Sequence, residues 1–391
     1  MLDLAALSSQ YRFSHDILVE LQRVYGQELE RVVRALKSPP RWYYIRVNTI
    51  RTTVEELQSR FEQRGWRLQR HPVIDEALFF EVDGPLEVPR FEKRLVVDKF
   101  TAESVLCGAN VYAPGIVGCS GVRRGNNVSI LNDQGEIVGA GVATMSEREI
   151  LALRRGLAVE LQHPRYRLPS LRETEEYSKG LFYSQSLPAM LTTRILDPKP
   201  GETLVDLTCS PGGKLSHLFQ LTKGEADIIG FDRNSRKIRL TECTLDRLGF
   251  DAKLVVHDSR YLDVDFPDLE ADRCLIDPPC SALGVRPKTY EFTSHHEVSA
   301  LCQYQQQFLK AAAGILRNGG VAVYSVCTMT AQECEEVAAF AATQCGLQPE
   351  PQSIFLGSRG LDGCPNGELL QRFHPHLHDC GYFIARFRKE S

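Results

Sequence analysis

Leu204–Lys214, reading Leu-Val-Asp-Leu-Thr-Cys-Ser-Pro-Gly-Gly-Lys, constrains this chain more than any other stretch. Apolar and β-branched residues run into Asp206, and a turn of small residues then opens a helix predicted over Lys214–Leu221. A strand running into a glycine turn at a helix N-terminus is how an open α/β sheet offers backbone N–H groups to a nucleotide-like ligand. Pro211 pre-sets the turn, and Gly212 and Gly213 are read as letting the backbone approach that ligand closely. The spacing is neither Gly-x-Gly-x-x-Gly nor a P-loop, and a plain β–turn–helix corner without a ligand is the alternative.

The rest of the C-terminal half repeats the same alternation. Strands are predicted over Ile228–Phe231, Lys253–Val256, Arg273–Ile276, Val321–Ser325 and Tyr382–Phe387. Helices are predicted over Asn234–Leu248, Tyr304–Leu316 (stopped by Asn318-Gly319-Gly320) and Gln332–Gln344. This pattern argues for an α/β, doubly wound, mostly parallel sheet, a Rossmann-like architecture. Four strands end in an acid: Asp206, Asp232, Asp258 and Asp277. Ligands of such sheets bind beyond the carboxyl ends of the strands. Asp232 is placed to accept hydrogen bonds from ribose hydroxyls, with Lys237 nearby, and Asp258 to meet an adenine edge. A nicotinamide cofactor is disfavoured because its glycine fingerprint is absent. S-adenosylmethionine fits better, having ribose and adenine but no pyrophosphate.

At 391 residues the chain has room for two or three domains, and its net charge of −4 neither demands nor excludes a nucleic-acid partner. No apolar run approaches membrane-span length, and Met1–Tyr11 lacks the regions of a secretory signal, so a cytoplasmic protein is expected. Twelve cysteines without Cys-x-x-Cys pairs argue against a zinc site, and most are expected to be small buried residues in a reducing compartment. His374, His376 and His378 lack acidic or cysteine partners at ligand spacing and are read as a polar loop, not a metal site.

Ser14–Leu36 has the apolar spacing of an amphipathic helix, followed by a strand at Tyr43–Val47, a helix at Val54–Arg64 and a strand at Leu78–Val82. This module of residues 1–92 is small for an independent domain. From Arg94 onward come a short helix at Ala102–Leu106 and closely spaced strand and turn signals around Asn110–Tyr112, Val128–Leu131 and Ile137–Ala143. They read as a small β-barrel over residues 93–169, inserted before the α/β part of residues 170–391. Gly108-Ala109-Asn110-Val111-Tyr112-Ala113-Pro114-Gly115-Ile116 and Val128–Val142 resemble a PUA domain, which implies RNA contact near Gly108, Ala109, Asn110 and Tyr112. Arginines crowd the segment Arg148–Arg172, opposed only by Glu149 and Glu160. Such a run is often a solvated face. Beside an RNA-binding barrel, Arg154 and Arg155 are better read as phosphate contacts, with Arg123 and Arg124 as further candidates.

Two cysteines stand at strand ends, Cys280 in Asp277-Pro278-Pro279-Cys280-Ser281 and Cys327 in Ser325-Val326-Cys327-Thr328. If those strands are neighbours, both thiols face the cleft and suit nucleophilic or acid–base work. These two segments, together with Asp206…Pro211-Gly212-Gly213-Lys214, Arg46-Val47-Asn48-Thr49 and Gly381-Tyr382-Phe383-Ile384-Ala385, resemble the RNA cytosine-5 methyltransferases of the Nop/Sun family. The resemblance spans nearly the whole chain, and the inserted PUA domain makes it similar to the subfamily of human member six. Departures are Cys209-Ser210 in place of the usual Ala-Ala, and Val326 in place of the usual Thr.

The resemblance implies S-adenosylmethionine as cofactor, held by Thr208, Cys209, Ser210, Pro211, Gly212, Gly213, Lys214, Asp232, Lys237, Asp258 and Asp277. It implies methylation of tRNA at the acceptor-stem cytosine of position seventy-two, contact with the tRNA 3′ end, a monomer, and an RRM-like N-terminal module packed on the catalytic domain. It makes Cys327 the nucleophile and Cys280 the group that removes a proton and frees the enzyme, with Asp277 and Lys214 supporting the base. The residues alone leave the two thiol roles exchangeable. A ribosomal-RNA methylase of the same family and an inactive RNA-binding scaffold are the alternatives; the PUA insertion disfavours the first and the presence of both cysteines the second.

Overall fold

The computed structural model describes residues 2–390. Its C-terminal half is built on a nine-stranded sheet. Five strands are parallel and lie in the order Lys253–Val256, Asp227–Asp232, Thr203–Asp206, Ala271–Ile276, Leu316–Val326. The strand Tyr382–Lys389 pairs antiparallel with Leu316–Val326 and carries the remaining strands beyond it. The strand order reverses between Thr203–Asp206 and Ala271–Ile276, which makes their carboxyl ends the natural crevice for a ligand.

Side chains alternate across this sheet with period two. Val205, Ile276, Tyr324 and Phe383 face one layer, where the helices His295–Ile315 and Val337–Gln344 pack through Phe308, Leu309, Ala312, Val337 and Ala341. Leu204, Leu275, Val323 and Ile384 face the other, against Met190 and Leu191, Leu215 and Leu218, and Ile238 and Leu245 of three further helices. Both faces are covered, as a parallel sheet requires.

Residues Asn127–Asn132, Ile137–Ala143 and Leu157–Pro164 are central strands of a separate six-stranded sheet with its own apolar core. Two elements of it escape the sequence reading: the strand Lys93–Val97 and the strand Leu157–Pro164, the latter inside the arginine-rich segment. The chain enters and leaves this unit side by side. Asp83 and Arg167 exchange backbone hydrogen bonds, and Leu86 N–H donates to the Arg165 carbonyl at 2.7 Å.

The N-terminal sheet is four-stranded: Phe182–Ser184, Trp42–Val47, Ala77–Glu81 and Gln69–Arg70. Its first strand comes from beyond the insertion, with Ile45 opposite Ser184 and Val47 opposite Phe182. The sequence reading had assigned Phe182–Ser184 to the α/β part. The helix expected over Ser14–Leu36 is two helices, His15–Tyr25 and Leu29–Leu36, because Gly26 turns the chain at φ 50° and ψ −118°. The apolar spacing survives the break: Ile17, Leu18, Leu21, Val32, Val33 and Leu36 are wholly buried, against Leu283, Val298 and Met329. The helix expected to begin at Tyr304 begins at His295, where Ser294 and Glu297 form a capping box. It runs directly into the strand Leu316–Val326, so Asn318-Gly319-Gly320 are strand residues and not its stop. Among the described residues no helix is long and apolar enough to cross a membrane.

Arg46 locks the N-terminal sheet to the glycine turn. Its guanidinium, 1 % exposed, donates to Gln185 Oε1, the Gly213 carbonyl and Ser216 Oγ, each at 2.6 Å. Gln220 Nε2 adds a bond to the Val47 carbonyl at 2.9 Å. Arg46→Met is expected to lower the unfolding free energy by about 2–4 kcal/mol, since buried acceptors left unpaired cost roughly 1–3 kcal/mol each. Urea titration of the variant against the parent checks this.

Candidate active site

At the carboxyl ends of the parallel strands lies a cleft of about 280 Å³, lined among others by Thr208, Ser210, Asp232, Lys237, Asp258, Asp277, Cys280 and Cys327. An adjoining cleft of about 160 Å³ is lined by Asp206, Thr208, Pro211, Gly213, Lys214, Asp277 and Tyr183. The two share Thr208, Ser210 and Asp277. The residues singled out in the C-terminal half therefore converge, though several do so for reasons other than those expected.

The glycines are one correction. Gly212, at φ +96°, is the left-handed residue that starts the helix Gly213–Thr222. A Cβ on Gly213 would lie 2.8 Å from the Tyr183 ring, and one on Gly212 would lie 3.2–3.3 Å from Thr241 and Thr244. Both glycines thus make room for the chain's own neighbours and not only for a ligand. Cys209 is a second correction: it is 2 % exposed, packs in the core, and burial pushes its thiol up. It shapes the turn from beneath.

Asp232 fits the ribose assignment. Its Oδ1 accepts the Asn234 N–H at 2.9 Å, while Oδ2 lies 3.7 Å from Lys237 Nζ and has no hydrogen-bond partner among the described residues. That free oxygen is available to two vicinal hydroxyls. Asp258 also lines the cleft, but Arg260 holds its carboxylate in a bidentate pair at 2.9 and 2.7 Å and keeps it below the usual carboxylate range. Tyr304 and Phe308, which the sequence reading treated only as part of a helix, form an apolar wall of the cleft suited to a flat base. Together these groups fit a ribose-and-adenine cofactor.

Asp277 is the junction of the site. Lys214 Nζ forms an ion pair with its Oδ2, Ser325 Oγ donates to its Oδ1 at 3.2 Å, and the Thr208 hydroxyl donates to its backbone carbonyl at 2.8 Å. Tyr382 donates to Ser325 at 3.1 Å. The Asp277 carboxylate pushes the buried Lys214 ammonium well above its ordinary range.

Ile276 stands opposite Tyr324 across the two strands, so the chain leaves both at the same edge. Cys280 Sγ and Cys327 Sγ come to 3.4 Å. The hydrogen bond from the Cys280 thiol lowers the Cys327 thiol, and Lys214 acts in the same direction. The same bond, with burial and the Glu333 carboxylate, raises Cys280 well above the usual thiol range. The surroundings of the pair are thus unequal, favouring ionisation at Cys327 over Cys280, an asymmetry that composition and spacing could not supply.

The residues expected to touch RNA are less uniform. Tyr112 is 56 % exposed, and Phe100, absent from the sequence reading, is 78 % exposed. Asn110 is structural, its Oδ1 accepting the Leu161 N–H at 2.8 Å. Gly108, at φ +93°, lies against the Tyr166 carbonyl and Leu168 of its own chain, so its close approach is internal; Ala109 N–H donates to the Ser104 carbonyl. Arg154 is spent on the Pro114 and Ile116 carbonyls at 3.1 and 2.9 Å, and Arg124 pairs with Glu149 at 2.8 Å. Arg123 and Arg155 are exposed, without side-chain partners among the described residues. Of the twelve cysteines, all unpaired, five are buried, six half-buried and Cys243 exposed, fewer buried than expected. His374 is held by Tyr25 at 3.1 Å, donates its N–H to His378 Nδ1 at 3.0 Å, and is pushed down to about 3 by burial. No cluster of three His, Cys, Asp or Glu side chains placed to hold a metal occurs among the described residues.

Comparison with known proteins matches three parts of the chain. Residues 193–388 match the family described as 16S rRNA methyltransferase RsmB/F, residues 93–164 match the PUA domain, and residues 17–87 match the ferredoxin-like domain of RsmF/B-like methyltransferases. The chain belongs to the RsmB/F family of RNA methyltransferases. It is 40% identical over 386 residues to the tRNA (cytosine(72)-C(5))-methyltransferase of Pyrococcus horikoshii, covering 96% of this chain and 97% of that one. The human tRNA (cytosine(72)-C(5))-methyltransferase NSUN6 is 30% identical over 394 residues, covering 89% and 83%. The crystal structure of NSun6 from Pyrococcus horikoshii with SFG, an S-adenosylmethionine analogue, superposes with a TM-score of 0.89 at 38% identity, over 97% of this chain and 99% of that one. The family and its Rossmann-like, PUA and RRM-like parts are therefore as the sequence resemblance implied.

Asp206 gives this family site a pH signature. It is 2 % exposed, and burial pushes its carboxyl up from 3.8 to about 7. A carboxyl raised on folding binds its proton more tightly in the native state, so stability falls as pH rises from about 4 to about 7. Asp206→Asn keeps an acceptor for the Thr208 N–H, now at 3.0 Å from Oδ1, and removes the titration. Thermal melts at pH 5 and pH 8 are expected to differ less in the variant than in the parent.

Proposed function

We propose that this protein is an S-adenosylmethionine-dependent tRNA cytosine-5 methyltransferase acting on the cytosine at position 72 of the acceptor stem. The observation that carries the reading is the 3.4 Å thiol pair beside the Asp277–Lys214 ion pair, at the mouth of a cleft fitted to ribose and adenine. Relatives named for tRNA cytosine 72 that align over most of the chain, with this chain's own PUA match, support tRNA as the partner; the reading extends to its 3′ end. The working form is a cytoplasmic monomer.

When bound, S-adenosylmethionine would supply an electrophilic methyl group, and Asp232, Lys237, Asp258, Thr208 and Ser210 would hold it. Cytosine C5 is a poor nucleophile. Cys327 thiolate attacks C6, forming an S–C6 bond and pushing electron density onto C5. Asp277, held by Lys214 and Ser325, accepts a hydrogen bond at the base edge and favours a proton on N3, which offsets the charge that builds in the ring. Once C5 is methylated, Cys280 gives its own proton to solvent and, as a thiolate, takes the C5 proton; the C5–H electron pair forms the C5=C6 bond, and the S–C6 bond breaks with its electron pair returning to Cys327 sulfur.

The thiol pair gives these two steps their order. While Cys327 is a thiolate, Cys280 is its hydrogen-bond donor and stays protonated. When Cys327 becomes a thioether that acceptor is neutralised, and the largest cause of the raised Cys280 disappears. Attack thereby eases loss of the Cys280 proton, which the base role requires. A target cytosine at the end of a stem also leaves its stack at little cost.

Bisulfite sequencing of tRNA incubated with enzyme and S-adenosylmethionine tests the reaction, with conversion protection at position 72 as the expected result. Cys327→Ala is expected to abolish both methylation and covalent adduct. Cys280→Ala is expected to methylate once and then accumulate as a covalent complex with methylated tRNA, a slow band on a denaturing gel. The reverse pattern would exchange the two roles.

A further inference from the structure

Beneath the two cysteine loops lies a carboxylate that the mechanism above does not use. Glu333 is wholly buried, on a single π-helical turn at Gln332–Glu336. Such turns are rare and gather at functional sites. Its Oε1 accepts the Ser281 N–H at 2.9 Å and Gln305 Nε2 at 3.0 Å. Its Oε2 accepts the hydroxyls of Ser281 at 2.5 Å and of Thr328 and Thr330 at 3.1 Å each. Ser281 follows Cys280 and Thr328 follows Cys327, and their hydroxyls meet at 2.6 Å. Gln305 extends the brace to the Pro279 carbonyl at 3.1 Å, and Tyr324 anchors Gln305 at 2.9 Å. One side chain thus grips both loops, each within one residue of its thiol.

The charge is as informative as the geometry. Among the described residues no Lys, Arg or His pairs with Glu333, whereas the nearby buried Glu335 pairs with Arg372. A buried carboxylate without a cation is costly. Here five donors offset that cost, and they need two acceptor oxygens, which a glutamine side chain would not supply. The charged and titratable groups facing the thiols are Lys214 and Asp277 from the parallel strands and turn, Lys288 from the loop after Cys280, Cys380 from the turn before the last strand, Tyr324 from the strand below, and Glu333 from the π-helical turn. Tyr324 and Cys302 face Glu333 from the adjoining strand and helix, and Cys334 from its own turn.

We propose that Glu333 is a positioning residue for methyl transfer, the brace that sets the separation and orientation of Cys280 and Cys327. Its carboxylate grips Ser281, next to Cys280, and opposes ionisation of that thiol. This rests on the reading of the cleft as a two-thiol cytosine methylase, and the experiment separates the two.

Full-length protein carrying Glu333→Gln, Glu333→Ala or Ser281→Ala is compared with the parent in three assays: tRNA methylation, covalent complex on denaturing gels, and the pH profile of Cys327 alkylation by iodoacetamide. Glu333→Ala is expected to lose roughly ten- to hundredfold in kcat, the scale of a small misplacement of a reacting group, with KM for tRNA unchanged. Its covalent complex is expected to accumulate, because Cys280 is displaced. Glu333→Gln keeps the side chain's size but turns one acceptor oxygen into an amide donor and removes the charge, and is expected to move the alkylation profile of Cys327 to higher pH. If Glu333→Ala does not fold, Ser281→Ala, which cuts one hydroxyl link, is expected to raise the covalent fraction in the same direction. Parental turnover, covalent fraction and alkylation profile in both Glu333→Gln and Ser281→Ala would overturn the proposal. A parent that methylates no tRNA overturns the underlying reading instead, while the alkylation profile still decides whether Glu333 governs the thiols.

Discussion

The ion pair between Lys214 and Asp277 is the contact on which the rest of the site depends. It ties the helix that opens at the glycine turn to the end of the strand Ala271–Ile276, across the reversal in strand order. Neither group is fully solvated, so each relies on the other to offset the cost of leaving water. Ser325 and Tyr382 extend the pair into the neighbouring strands, and the Thr208 hydroxyl extends it back to the turn. Four separated stretches of sequence are thereby held to one point, with the ion pair beside the thiols.

What the site does chemically follows from an imbalance between two identical functional groups. Two cysteines at 3.4 Å would share a proton evenly in a symmetric environment. Here Cys327 faces the mutually compensating Asp277–Lys214 pair, while Glu333 adds negative potential on the side of Cys280. The fold breaks the symmetry with groups from different elements, the first turn of a helix and a π-helical turn.

Much of this was legible in the sequence, because the signals are local. Strands ending in Asp206, Asp232, Asp258 and Asp277 announce themselves by short apolar runs and a terminal acid, and the parallel sheet follows from their alternation with helices. The thiol pair was legible as soon as the strands carrying it were neighbours. Non-local facts were hidden. Nothing near Phe182–Ser184 says that it pairs with Trp42–Val47, and nothing near Gly213 says that Tyr183 fills the space its missing Cβ leaves. Glu333 reads as one acid among several on a helix until the Ser281 and Thr328 loops arrive beside it. The arginine run misled for the opposite reason. Charge is visible in sequence, whereas the carbonyls that occupy Arg154 are contributed from some forty residues away.

The edge strand Phe182–Ser184 has a further consequence for how the chain is made. The N-terminal sheet encloses the entire PUA unit between two of its own strands, Ala77–Glu81 and Phe182–Ser184. As the polypeptide leaves the ribosome, the inserted barrel has all of its strands before the sheet that brackets it has its last one. Domains tend to fold as units in the order of synthesis. Here the middle unit can finish first, and its closed ends, pinned together at Asp83 and Arg167, then shorten the loop that the edge strand must close. Once folded, the insertion thus costs the module it interrupts less loop-closure entropy than an unfolded stretch of the same length.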